Sequence, residues 1–321
     1  LTNVNINDGA ADVFNDLPKG FKNRIIGIDC KGLNLKQIKD VAERYEGAKL
    51  TNVNINDGAA DVFNDLPKGF KHKIIGLDFA GGESLTHAQL NQILISCENL
   101  EEVNLYGCYK LTDVSGLGGC KRLKTLNLSA CNLTDVSVLS GCENLQTLNL
   151  SNCHNLTDVS GLSGCENLQI LDLSNCYRLT DVGGLGECKS LQTLHLTNCS
   201  NLTNVSVLGG CESLQTLEIV DCKALSDVSW LSNCKNLQTL KLRRCSALTN
   251  VRGLGECKSL QTLDLTNCRG LTNVRELGGC EGLQTLNLIN CTSLRDVSAL
   301  GRCESLQTLE IVDCKALSDV S

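Results

Sequence analysis

Methionine is absent from this chain, proline occurs twice, and tryptophan, tyrosine and phenylalanine together make up 3% of the residues. Each scarcity removes a class of structure or function. With so few aromatic side chains there is no interleaved platform on which nucleic-acid bases stack, and a net charge of -7 with a pI near 5.2 opposes a polyanionic partner. Nucleic acid is therefore not the expected partner, although Lys235, Lys241, Arg243, Arg244, Arg252, Lys258, Arg269 and Arg275 crowd positive charge into one stretch. That stretch reads as a solvated face or as the landing site of an acidic protein. No apolar run approaches the length that spans a bilayer and no secretory signal opens the chain, so no membrane is expected in this segment. A nucleophile elbow, a phosphate-binding loop and closely spaced metal-ligand pairs are also missing. No catalysis, cofactor or metal is expected. Without a methionine, starting on a strand residue and stopping inside a repeat, the chain reads as a fragment, with both capping units outside it.

What is present is a repeat. From Leu100 onward the chain recurs every 23 residues, with one 22-residue step between Leu123 and Leu145. One copy reads Leu145, Leu148, Leu150, Cys153, Leu156, Asp158, Val159, Leu162 and Cys165. Leu148 and Leu150 flank polar Asn149, the period of a short strand with one buried face. Asp158 stands where its carboxylate can cap a brief turn, after which Val159 and Leu162 point inward and Gly164 releases the chain. About eight inward apolar residues per copy are too few for a core, so adjacent coils must stack and share one.

The same skeleton runs through the first 99 residues at a step of 24 to 26, in Leu1, Val4 and Ile6, in Ile25, Ile28 and Cys30, in Leu50, Val53 and Ile55, and in Ile74, Leu77 and Phe79. The total is fourteen coils. Longer connections here carry helices. Asn34 caps a run with Leu35, Ile38, Val41, Ala42 and Tyr45 on one face, ending at Gly47, and Thr86 with Gln89 forms a capping box. Shorter helical turns are expected after Asp8 and Asp57, stopping before Pro18 and Pro67. A change of repeat subtype is placed near residue 99, giving segments 1–99 and 100–321 of one continuous solenoid. Residues 1–22 recur identically at 50–71, and 211–229 at 303–321, which points to tandem expansion.

Twenty of the 21 cysteines form two ladders. One follows each strand, from Cys108 to Cys314, and the other precedes it, from Cys97 to Cys303. Each recurs at one point of the coil, so both should face the core as small hydrophobes with a weak donor. Stacked neighbours about 5 Å apart with parallel side chains suit a disulfide poorly. Many reduced thiols favour the cytoplasm or nucleus.

Between copies, what varies is the outward strand position: Asn104, Asn127, Asn149, Asp172, His195, Glu218, Lys241, Asp264, Asn287 and Glu310. The two residues before the post-strand cysteine vary too, and include Tyr106, Arg243 and Arg244. A candidate partner surface therefore comprises Tyr106, Asp172, His195, Glu218, Lys241, Arg243, Arg244 and Asp264, with Tyr109 and Tyr177 as further aromatic anchors near the rim. Asp172, His195 and Glu218 should lie side by side on adjacent strands, yet an open sheet supplies no water-excluding pocket for acid and base chemistry. Trp230 is expected on the opposite, convex side.

These residues resemble the leucine-rich repeat family along the whole chain. The Leu-Thr-Asp-Val-Ser-x-Leu stretch at 111–117, 156–162 and 225–231 is similar to the convex turn of the SDS22 and internalin type, and the post-strand cysteine to the cysteine-containing subclass of F-box proteins. The combination is also similar to leucine-rich repeat proteins of parasitic protozoa. The resemblance implies a right-handed α/β solenoid with a concave parallel β-sheet, short turns or 3-10 segments on the convex side and helices in the N-terminal coils. It further implies a protein-binding scaffold using the concave face or its rim. Other roles it leaves open are the substrate-recognition arm of a ubiquitin ligase, a regulatory subunit of a signalling enzyme and an internalin-like adhesin.

Overall fold

The computed structural model describes residues 2–5, 25–55 and 63–318. Two compact units divide the chain, residues 1–132 with 141–145, and residues 133–140 with 146–321.

In the first unit, strands β1 (Thr2–Asn5), β2 (Ile25–Asp29) and β3 (Lys49–Thr51) pair in parallel in that order. Strands β4 (Val53–Asn54), β5 (Gly76–Asp78), β6 (Glu102–Asn104) and β7 (Thr125–Asn127) form a second parallel run. β3 and β4 belong to one coil, split at Asn52, whose φ of 50° lies in the left-handed region. Among the described residues the connections carry helices α1 (Leu35–Arg44), α2 (Lys68–Lys71) and α3 (His87–Ser96). Asn34 caps α1 by accepting from the Gln37 N–H, while the Gln37 side chain accepts from the Asn34 N–H, a reciprocal box that ends two helix donors' need for water. Thr86 and Gln89 do the same for α3. α1 stops at Arg44, three residues before Gly47, where the backbone of buried Tyr45 leaves helical angles with φ -117° and ψ 75°. Pro67 does more than end a turn: it is the N-cap of α2, where its missing N–H leaves nothing unsatisfied. The expected strand residues Leu1 and Ile6 and the turns after Asp8 and Asp57, with Pro18, lie outside the described residues.

In the second unit the strands are β8 (Thr147–Asn149), β9 (Ile170–Asp172), β10 (Thr193–His195), β11 (Thr216–Glu218), β12 (Thr239–Lys241), β13 (Thr262–Asp264), β14 (Thr285–Asn287) and β15 (Thr308–Glu310). All pair in parallel with a register equal to the repeat, so Leu148, Leu171, Leu194, Leu217, Leu240, Leu263 and Leu286 stack in one buried column. The return side is a row of 3-10 turns such as Ser160–Gly164. Asp158 Oδ1 accepts from the Ser160 N–H at 2.5 Å and Oδ2 from the Ser160 hydroxyl at 2.9 Å, which starts the turn as the sequence implied. Gly164 has a different reason than chain release: a Cβ there would lie 2.3 Å from the Ser140 carbonyl oxygen. Trp230 sits in the turn Ser229–Asn233, nearly buried, with its indole N–H donating to the Asp227 carbonyl at 3.3 Å.

Both cysteine ladders face the core, and most of their thiols reach back one coil, Cys120 instead reaching the Gly116 carbonyl of its own turn. Cys199 donates to the Leu173 carbonyl at 3.2 Å and Cys222 to the Leu196 carbonyl at 3.2 Å, while on the other ladder Cys211 donates to Leu185 at 3.1 Å and Cys257 to Leu231 at 3.2 Å. The Leu173 carbonyl also accepts the Cys176 N–H, so the thiol uses its second lone pair. A leucine here would leave that lone pair bare, and a serine hydroxyl, on its shorter bond, would reach less far.

Candidate partner-binding surface

Parallel register decides which outward residues meet. Asp172 pairs with His195, His195 with Glu218, Glu218 with Lys241 and Lys241 with Asp264, so five of the candidate residues form one row across β9 to β13. Each is half-buried, because the residue above and below it is only one strand spacing, about 4.8 Å, away. The alternation that buries Leu240 and Leu242 turns Lys241 and Arg243 outward.

Glu218 and Asp264 are the compensated members of the row. Glu218 takes the Lys241 ammonium on Oε1 at 2.6 Å and faces His195 Nδ1 with Oε2 at 3.2 Å. Burial alone would raise the Glu218 carboxyl, but the hydrogen bond and charge of Lys241, with His195 added, overcome it and hold the group below its ordinary value. Arg243 Nε lies 3.6 Å from Asp264 Oδ2. Asp264 Oδ1 is engaged by the Thr266 N–H at 2.9 Å, and Asp172 Oδ1 by the Ser174 N–H at 2.8 Å. Asp172 thus secures the turn after its own strand. His195 and Glu218 keep side-chain exposures of 31% and 21%, so the acid, imidazole and acid triplet stays in contact with water. Water access of this kind gives the three groups no shielded site for proton transfer.

Arg244 does not join this face. Its backbone has φ 59°, and the residue before the post-strand cysteine is left-handed in coil after coil, at Asn152, Asn175, Asn198, Asp221, Asn267 and Asn290. The chain leaves the strand there, and Arg244 swings to the rim to meet Asp221 at 3.4 Å. The sequence carried this signal in its preference for asparagine, the residue other than glycine that best tolerates that region. Tyr106 belongs to the first unit, exposed on the turn after β6. A contact that sequence reasoning missed is the stack of His154 on Tyr177, with ring centroids 5.0 Å apart. Both residues directly follow a post-strand cysteine, one repeat apart, which is the pattern that could have disclosed it.

Segments 98–141, 121–164, 143–187 and 166–210 each match the family model for leucine rich repeats in two copies. No curated protein matches the chain in sequence. Among solved structures, the functional domain of InlJ from Listeria monocytogenes, described as including a cysteine ladder, aligns with a TM-score of 0.60 at 16% identity, covering 90% of this chain and 60% of that one. Internalin InlF from the same organism aligns with a TM-score of 0.43 at 18% identity over 95% of this chain and 94% of its own. Internalin C2, also from Listeria monocytogenes, aligns at 0.45 and 22% identity over 72% and 88%. The likeness to InlJ is one of fold.

Proposed function

The chain is a leucine-rich repeat protein, and from that premise we propose that it recognises a protein partner across the outward face of β9 to β13. Domains of this kind generally serve as protein-interaction modules and are typically non-catalytic. One observation carries the finer reading. At the outward strand position Asn149 and Asn287 bracket five consecutive coils that carry Asp172, His195, Glu218, Lys241 and Asp264 instead. The inward leucines of those same coils are constant but for Ile219, which is apolar too. Acids set beside a lysine in one row fix register and exclude mismatched partners more than they add raw affinity. Because the ion pairs are half-buried, a partner that covers them strengthens them, whereas in water each is worth less than about 1 kcal/mol.

The test is affinity capture from native extract by the wild-type chain and by Lys241→Thr with Arg243→Ser, followed by a binding titration with the purified partner. Arg244 is left intact because it faces the rim. Loss of binding by at least about tenfold with an unaltered circular dichroism spectrum is expected, since two interfacial charges of about 1 kcal/mol or more are removed. Equal binding by both chains overturns the reading.

A further inference from the structure

The left-handed asparagines form a ladder of their own along the rim. Asn175 donates its amide to Asn152 Oδ1 at 3.0 Å, Asn198 to Asn175 Oδ1 at 2.8 Å, and Asn290 to Asn267 Oδ1 at 3.2 Å. Asp221 and Arg244 interrupt this ladder. An arginine accepts no hydrogen bond, so the Asn267 NH2, which would donate to the preceding rung, has no partner among the described residues. Arg244 reaches only Asp221 Oδ2, and Asp221 Oδ1 is buried without a hydrogen bond.

A groove of about 370 Å³ opens at this break, lined by Asp221, Lys223, Arg244, Ser246, Asn267 and Arg269. Three cations share it with a single carboxylate. The outward face behaves differently, since Lys241 and Arg243 are each matched by an acid. Arg269 has no acidic partner among the described residues, and Lys223 stands 3.7 Å from Asp221. In this groove positive charge and free donors are left over together.

We propose that this rim groove binds the carboxylates of an acidic, extended segment of the partner. The inference rests on the reading that the chain recognises a protein. Lys223 and Arg269 are two coils apart, about 10 Å at one strand spacing per coil. In a polyproline II segment, residues i and i+3 lie on one side about 9 Å apart, so two carboxylates at that spacing reach both cations. Asn267 and Ser246 then supply neutral donors between them. A peptide fits better than a nucleic acid, because no aromatic side chain lines the groove for base stacking and the Asp221 carboxylate repels a continuous phosphate chain.

The experiment is fluorescence anisotropy of a labelled peptide of Pro-Pro-Glu repeats, with Pro-Pro-Gln repeats and oligouridylate as comparison probes, at low and physiological salt. The Glu peptide should bind, weaken with salt and lose about fivefold for each of Lys223→Ser and Arg269→Ser. Arg269→Lys should retain most of the binding, and Lys258→Ser, a cation outside the groove, should change it less than about twofold. Equal behaviour of the Glu and Gln peptides, insensitivity to both serine variants, or tighter binding of oligouridylate than of the Glu peptide would each overturn the proposal. Partner capture with the Lys241 and Arg243 variant scores the outward-face reading separately, so either can fail while the other stands.

Discussion

Raising the pH should unfold this protein cooperatively, through the thiols of its core, at an alkalinity most proteins tolerate. Burial, with neighbouring thiols and acids adding to it in places, pushes Cys199, Cys211, Cys222, Cys234, Cys268 and Cys280 from the ordinary 9.0 to about 12, and Cys188 and Cys257 to about 11. Cys176, Cys245 and Cys291 are driven the same way. In the folded state these groups keep protons that the unfolded chain has already released. Their contribution is therefore complete below pH 9 and is lost as pH rises toward the folded values. Each such thiol removes less than about 1 kcal/mol at pH 9 and about 1 kcal/mol at pH 10. These eleven thiols, all in the second unit, together remove a few kcal/mol at pH 9 and on the order of 10 kcal/mol at pH 10, against a typical domain stability of about 5–15 kcal/mol. Circular dichroism followed against pH, with ultraviolet thiolate absorbance recorded on the same samples, should show one cooperative loss of structure between about pH 9 and 10, with the thiolate signal appearing only as structure disappears. A thiolate signal that grows while the circular dichroism holds would show that the thiols ionise in place. Intact structure with silent thiols well above pH 10 would show that their summed cost is far smaller than reasoned here. Either result refutes the argument.

Two further predictions concern the backbone. A Cβ on Gly184 would lie 2.6 Å from the Val159 carbonyl oxygen and 2.8 Å from Ser160 Cα, whereas one on Gly186 meets nothing closer than 3.4 Å. Val207 fills the equivalent place in the following coil, so the turn can be opened, at the loss of close coil packing. Gly184→Ala should therefore cost about 2 kcal/mol and Gly186→Ala should gain about 0.5 kcal/mol, measured as opposite shifts of the urea midpoint. Shifts of the same sign would contradict the geometry. Arg244→Asn should raise the midpoint by the equivalent of roughly 0.5 kcal/mol, because relief of a left-handed arginine, about 1 kcal/mol, exceeds the exposed pair it makes with Asp221. A lowered midpoint would show that the ion pair matters more than the backbone.

The helices and turns show how far local chemistry reaches. Asn34 and Thr86 were legible as caps because capping needs only residues within one turn, and Asp158 was legible for the same reason. The row from Asp172 to Asp264 was legible because a repeat that keeps its length must stack in register. Arg244 was legible as a variable, outward residue but its place at the rim was not, since period-two alternation stops where the backbone turns left-handed, and an arginine at that point does not announce the turn as asparagine does.

By itself, then, the order of residues determined what recurs: one short strand per coil, leucines and cysteines inward, helices in the long connections. These follow from periodicity and from contacts a few residues apart. Only the tertiary structure decided which carbonyl each thiol reaches, which glycine is pressed against the coil before it, which charges cancel in pairs and where three cations are left in a groove. Those outcomes depend on atoms 21 to 26 residues apart, brought to about 3 Å from one another and set there to a few tenths of an ångström, which no pattern of residue types specifies.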